Sequence, residues 1–152
     1  MLHMPKGRKL TALRIELLRN IHLGATSTFR FLRGYAEAAL GNSTDDTGEP
    51  LDKDYSITNL STESLLSAWA ECTRFIRENE TDLTHLDDDL AGHNLWLSRN
   101  FHDAGFFDTR VNDESAGFAM QQLTHASHAY GEIDLYLGDD RKLHFSNEGR
   151  VV

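Results

Sequence analysis

Cysteine is almost absent from this sequence, and long apolar runs are absent altogether. The single cysteine, Cys72, has no second cysteine with which to form a disulfide within the chain. No apolar run approaches the roughly 20 residues that a membrane-spanning helix needs, and no signal-peptide pattern opens the chain. We therefore expect a protein of the reducing cytoplasm with no membrane segment.

The sequence also lacks the short motifs that identify common enzyme and cofactor sites. It contains no GxxxxGKS/T or GxGxxG phosphate-binding loop, no GxSxG nucleophile motif, and neither an HExxH nor a paired-cysteine metal site. No cofactor is therefore expected, and no catalytic mechanism with a known motif is indicated.

The chain is long enough for one domain with its own core. Its charge is unevenly distributed between two parts. Residues 1–41 hold seven basic and two acidic side chains, a net charge of +5, which leaves −14 for residues 42–152 out of the total of −9. We call these parts the basic N-terminal segment and the acidic body. The acidic body should attract basic surfaces, whereas the basic segment could contact phosphate or fold back on the body.

Apolar side chains recur at helical spacing over five segments, each of which begins or ends at a capping signal. The predicted helices run from about Arg8 to Leu23, from a cap at Thr26, Ser27 or Thr28 to Leu40, from a cap at Ser61 to about Asn79, from about Asp87 to Asn100, and from about Ser115 to Tyr130. Residues 94–98 also alternate weakly, as a strand would, but the longer pattern favours a helix. Residues 41–54 are rich in turn formers and predict a surface loop.

The helix that follows Ser61 has the clearest division into two faces. Its predicted buried stripe consists of Leu65, Ala68, Trp69, Cys72 and Ile76, with Phe75 beside it. Its predicted solvent face consists of Glu71, Arg74, Arg77 and Glu78. On this stripe the cysteine is interpreted as a small core residue rather than a nucleophile.

The end of the chain changes from helical spacing to alternation. Ile133, Leu135 and Leu137 alternate with polar residues, and residues 138–141 form a turn signal before Leu143 and Phe145 alternate again, which predicts a β-hairpin. A lone hairpin is marginal in water, so its apolar side should lie on the helices. The predicted class is mainly α (α+β), with about five helices around one core and a C-terminal antiparallel hairpin.

The stretch from Ala91 to Asp108 combines polar side chains and large aromatics at high density. Its candidate functional residues are His93, Asn94, Arg99, Asn100, His102, Asp103 and Asp108. A histidine beside a carboxylate can act as a base, and a neighbouring arginine can hold an anion. The alternative interpretation is structural: Arg99 caps the helix end, His102 hydrogen-bonds to backbone, and Phe106 and Phe107 fill the core.

A second pair of histidines lies on the last predicted helix. His125 and His128 are three residues apart, a spacing that allows two imidazoles to bind one metal ion. Their face lies away from the apolar stripe, and no carboxylate partner is close in sequence. We therefore expect a solvated face rather than a metal site.

Several segments of the chain together resemble one family. The segments are YAEAAL at 35–40, PLD at 50–52, DYSI at 54–57, ECTRF at 71–75, AGHNLWLSRN at 91–100, AGFFD at 104–108, YGE at 130–132 and LYLGDD at 135–140. They are similar to a family of small proteins encoded by phages and prophages, which carry a core like AGHDFWLTRNGHGAGFWD and a tail like YGExxLYVGDDGKxY. The chain differs from that core at Phe101 and Asp103, which replace glycines, at Asn94, which replaces aspartate, and at Phe107, which replaces tryptophan.

The resemblance implies a setting, the cytoplasm of a phage-infected bacterium, and no particular reaction. Small acidic phage proteins often bind and divert a host protein, so the first hypothesis is an accessory protein that binds a host defence or nucleic-acid enzyme. The acidic residues predicted to carry that contact are Asp87, Asp88, Asp89, Asp139 and Asp140. The second hypothesis is a nucleotide-binding or other ligand-binding protein, or an enzyme, that uses the residues between His93 and Asp108. The third, weaker hypothesis is nucleic-acid binding through the basic N-terminal segment.

Overall fold

The computed structural model describes residues 7–102 and 104–147, which form helices and one hairpin. The elements are α1 (Arg8–Leu23), α2 (Ser27–Asn42), α3 (Thr62–Glu78), α4 (Glu80–Leu83), α5 (Asp88–Arg99), α6 (Glu114–His128), β1 (Leu135–Leu137) and β2 (Leu143–Phe145). Short 3-10 turns occupy Leu51–Lys53, Ile57–Asn59 and Phe106–Asp108. The strands pair antiparallel, so the predicted class, mainly α with a C-terminal hairpin, is confirmed.

Side-chain caps begin three of the helices. The Thr26 hydroxyl accepts a hydrogen bond from the backbone N–H of α2, and Ser61 does the same for α3. The Asp113 carboxylate caps α6, which therefore starts one residue earlier than predicted. Gly24 adopts the left-handed conformation and ends α1, as the sequence indicates.

Helices α2 and α5 form the centre of the molecule, and their backbones approach each other directly. Gly34 on α2 lies against the backbone of Asp89, and Gly92 on α5 lies against the backbone carbonyl of Phe31. A Cβ atom on either glycine would overlap these atoms. The interior glycine of α5 is therefore required for close helix packing, and residues 94–98 belong to this helix.

The hairpin closes one side of the helical core. Leu135 pairs with Phe145 and Leu137 with Leu143, and the backbone N–H of Phe145 donates to the buried Ser64 hydroxyl at 2.8 Å. The Phe145 ring lies 5.9 Å from the Tyr35 ring and 5.8 Å from the Trp96 ring, measured between centroids. The apolar side of the hairpin thus packs on α2, α3 and α5, as a hairpin of this size requires.

The faces of α3 differ from the prediction. Glu71, predicted in water, is buried, while Trp69, predicted in the core, is only half-buried. Phe75 is fully buried, and Cys72 is in the core as expected, where burial raises the pKa of its thiol. Compared with the predicted stripe, the buried face of α3 is rotated toward Glu71, because that carboxylate has a charged partner inside the protein, Arg99.

The segment 41–54 also departs from a plain surface loop. Most of its residues are exposed, but Leu51 is buried in the short 3-10 turn and anchors the segment to the core. Among the described helices, none is long and apolar enough to cross a membrane.

Candidate functional site

The C-terminal end of α5 separates the predicted functional residues into buried and exposed sets. Arg99 and Asn94 lie in the interior, and His93 is half-buried on the helix. Asn100 follows and is half-buried, and His102 is exposed. Asp108 is exposed in the turn Phe106–Asp108, and Asp103 lies outside the described residues.

Arg99 is a structural centre, with 1% of its surface exposed. Its Nη1 donates to the Tyr35 hydroxyl at 2.9 Å and forms an ion pair with the Glu71 carboxylate at 3.0 Å. Its Nε and Nη2 donate to the carbonyls of Gly131 and Tyr130 at 2.8 and 2.9 Å. Burial acts to lower the pKa of Arg99, but Tyr35 and Glu71 more than offset it, so the pKa is raised and the side chain stays charged.

This network changes the role expected for Arg99. The Glu71 oxygen that pairs with Arg99 also accepts a hydrogen bond from the Asn147 amide at 2.9 Å, so the ion pair has further polar support. Burial raises the pKa of the Tyr35 hydroxyl, which therefore stays neutral beside the pair. Because four donor contacts hold the guanidinium in the core, the network favours the structural interpretation of Arg99 over the anion-binding one.

The two asparagines of the stretch also make internal contacts. The Asn94 amide donates to the Thr109 hydroxyl at 2.8 Å, which fixes the chain that follows the turn. The Asn100 amide donates to the Trp96 carbonyl, while its oxygen accepts from the backbone N–H of Ile133 at 2.9 Å. Asn100 thereby positions the segment that leads into β1.

A polar cleft of about 640 Å³ opens beside Asn100. It is lined by residues from the end of α2, the end of α5 and the first strand: Asn42, Ser43, Thr44, Trp96, Asn100, His102, Glu132, Ile133, Asp134, Leu135, Tyr136 and Ser146. Glu132 and Asp134 are exposed carboxylates, and none of the described lining residues is lysine or arginine. We call this region the polar cleft; its lining favours a ligand that carries positive charge and hydrogen-bond donors.

Glu132 and Asp134 were not among the predicted site residues. They flank the buried Ile133 in the alternation that predicts a strand, and that alternation places both carboxylates on the outer side. The alternation alone is enough to predict that both carboxylates point toward solvent. Their proximity to Asn100 and His102 depends on the tertiary fold.

The acidic triplet Asp87–Asp89, at the start of α5, is largely neutralised within the molecule. Asp88 forms an ion pair with Arg30 at 2.9 Å and accepts a hydrogen bond from the Ser27 hydroxyl at 2.7 Å. Asp89 accepts two hydrogen bonds from Arg33, at 3.0 and 3.1 Å. The basic N-terminal segment thus folds back on the acidic body, and only Asp87 of the triplet is fully exposed.

The second predicted acidic pair lies in the hairpin turn. Asp140 contacts the His144 ring at 2.9 Å and accepts from the backbone N–H of Lys142. These two contacts, chiefly the one with His144, hold the pKa of Asp140 below its ordinary value. Asp139 is exposed. The pair shapes the turn and lies outside the polar cleft.

We predict a modest structural effect for the paired members of the triplet. Replacing Asp88 and Asp89 together by asparagine should lower the free energy of unfolding by about 1 kcal/mol, because partly exposed ion pairs contribute roughly 0.2–1 kcal/mol each. Urea denaturation measures this change. Asp87→Asn is the matched control and should leave the midpoint unchanged; equal midpoints for all three proteins would contradict a stabilising role for the pairs.

The histidine pair on α6 does not form a metal cluster. His125 is exposed, and the His128 ring stacks on Phe101 with a centroid distance of 4.3 Å. In the described part of the chain, no group of three or more histidine, cysteine, aspartate or glutamate side chains could hold a metal ion.

Comparisons of the chain with protein-family models, curated proteins and solved structures give no match.

Proposed function

We propose that this protein binds a partner protein by receiving a basic segment of that partner in the polar cleft. The observation that carries the proposal is the composition of the cleft lining: among its described residues, Glu132 and Asp134 are acidic and none is lysine or arginine. The resemblance to phage proteins supports a bacterial host protein as the partner. Diversion or inhibition of that host protein is part of the same proposal.

Electrostatics favour such an encounter at two distances. The net charge of −9 attracts a basic partner from solution, within a Debye length of roughly 10 Å at 0.1 M salt. At contact, the two carboxylates can each accept hydrogen bonds from an arginine or lysine side chain. We therefore propose Glu132 and Asp134 as the carboxylates that contact the partner, in place of Asp88 and Asp89, whose charges are paired with Arg30 and Arg33.

Two other hypotheses receive less support from the same geometry. A nucleotide or other anion in the polar cleft would need a cation, but Arg99 is held in the core and Glu132 and Asp134 would repel the anion. Nucleic-acid binding by the basic N-terminal segment would need free basic side chains, and two of those that the segment holds, Arg30 and Arg33, are paired with carboxylates.

The direct test compares two double variants in capture of bacterial proteins from a host lysate. Glu132→Gln with Asp134→Asn removes both cleft charges, and we expect the affinity for the captured partner to fall about tenfold, which corresponds to roughly 1.4 kcal/mol. The matched control is Asp87→Asn with Asp139→Asn, which removes two exposed charges outside the cleft. This control should retain the partner.

Salt dependence provides a second measurement on the captured partner. Capture by the unaltered protein should weaken between 0.1 and 1 M salt, as the Debye length shrinks to about 3 Å. The cleft double variant should show a flatter dependence. Equal capture by both double variants, or capture indifferent to salt, would refute the proposal.

A further inference from the structure

An aromatic side chain is held in an unusual backbone conformation next to the polar cleft. Phe101 has a φ of 60° and is 57% exposed. The left-handed region costs a residue other than glycine roughly 1–2 kcal/mol, and an exposed ring recovers little of this through burial. The ring instead stacks on His128 at 4.3 Å between centroids, with an angle of 24° between the planes.

Phe101 forms one wall of a second, smaller cleft. This aromatic cleft has a volume of about 290 Å³ and is lined by Ser98, Phe101, His102, Phe107, Thr124 and His128. Phe107 is 74% exposed, so a second phenyl ring also faces solvent there. The available space matches a single aromatic side chain more closely than a large ligand.

The aromatic cleft and the polar cleft share one lining residue. His102 lines both of them, with Phe101 and Phe107 on one side and Glu132 and Asp134 on the other. Carboxylates and exposed aromatic rings therefore lie within reach of one short peptide segment. Aromatic residues and arginine are the residue types most enriched at the energetic centres of protein interfaces.

We propose that the aromatic cleft binds an aromatic side chain of the same partner segment whose basic side chain enters the polar cleft. This inference rests on the proposed function and adds the chemistry of the partner: an aromatic residue close in sequence to an arginine or lysine. A ring in this cleft gains edge or face contacts with Phe101, Phe107 and His128. A nucleobase could stack there as well, but its phosphate would be drawn close to Glu132 and Asp134, which repel it.

The experiment uses synthetic peptides as probes of the 152-residue chain. Each peptide carries one tryptophan and one arginine separated by zero to three glycines, and the parallel sets replace tryptophan by alanine or arginine by glutamine. Binding is followed by NMR, through the backbone amide signals of Phe101, Phe107 and His128. We expect the best tryptophan–arginine peptide to bind at least about fivefold more tightly than its alanine counterpart, in line with the contribution of an aromatic pair.

Three protein variants assign the binding to the cleft. Phe101→Gly removes the ring and suits the left-handed backbone, so the protein should remain folded, with a melting temperature equal to or above that of the parent. Phe107→Ala removes the second ring. Both should lose the preference for tryptophan, whereas Phe118→Ala, which removes a phenyl ring that is 61% exposed and outside this cleft, should keep it.

The outcomes separate this inference from the function on which it rests. If tryptophan and alanine peptides bind equally while Glu132→Gln with Asp134→Asn abolishes binding, the aromatic inference is overturned and the acidic docking site stands. If the arginine and glutamine peptides bind equally and the double variant has no effect, the proposed function fails. The inference is also overturned if none of the peptides shows saturable binding, or if adenosine monophosphate binds more tightly than every peptide.

Discussion

Arg99→Ala is expected to lower the free energy of unfolding by about 3–5 kcal/mol. The substitution leaves the Glu71 carboxylate, of which 6% is exposed, without its cation in the interior. It also removes the donors that satisfy the Tyr35 hydroxyl and the carbonyls of Gly131 and Tyr130. An uncompensated buried charge costs more than the pair contributed, so the loss exceeds that of an ordinary surface ion pair.

Urea denaturation of Arg99→Ala and of a surface control measures the difference. In the control, Lys53→Ala breaks the exposed ion pair with Glu49, and its cost should stay below about 1 kcal/mol. Replacing Arg99 by methionine and Glu71 by glutamine together should cost less than the sum of the single changes, because no charge is then left alone. A loss of less than about 1 kcal/mol for Arg99→Ala would contradict the structural role assigned here.

The same network links the stability of the core to the candidate site. Arg99 holds the carbonyls of Tyr130 and Gly131, immediately before Glu132, and Asn100 holds the N–H of Ile133, between the two cleft carboxylates. Arg99 and Asn100, at the end of α5, therefore position the segment that carries both acidic side chains. In this arrangement the polar stretch and the proposed binding surface are neighbouring parts of one structure.

The sequence predicts the helices and the hairpin because their signals are local. Apolar spacing, the caps at Thr26 and Ser61, and the change to alternation at Ile133 each depend on a few adjacent residues. The buried face of α3 is harder to predict, because glutamate is a residue type that usually faces solvent, yet Glu71 does not. Its partner Arg99 is 28 positions away, and only the folded chain brings the two charges together.

The sequence indicates only those residues of the polar cleft that lie in one continuous stretch. Asn100 and His102 were selected from the composition of their own stretch, and both lie on the polar cleft. Glu132 and Asp134 come from a separate segment, which the backbone contact between Asn100 and Ile133 brings to the cleft. Pairing of Arg30 with Asp88 and of Arg33 with Asp89 also spans more than 50 positions, so the neutralisation of the acidic triplet required the tertiary structure.

Gly92→Ala is expected to destabilise the protein by about 3 kcal/mol, at the upper end of typical overpacking costs. The added methyl group would overlap the Phe31 carbonyl of α2, and its next neighbours are also backbone atoms, which cannot rotate away as a side chain can. The two central helices would have to separate, which weakens the contacts of their side chains throughout the core. Intrinsic helix propensity favours the substitution by about 1 kcal/mol, so destabilisation would show that packing dominates.

Gly117→Ala on α6 supplies the matched control for this interpretation. A Cβ atom at position 117 meets no heavy atom within 4 Å, so the substitution should raise stability by up to about 1 kcal/mol through helix propensity alone. Thermal and urea denaturation of the two variants therefore should shift in opposite directions from the parent protein. A stabilising shift for Gly92→Ala would show that α2 and α5 tolerate a wider separation, and the close backbone approach would then not be needed to hold α5 in place.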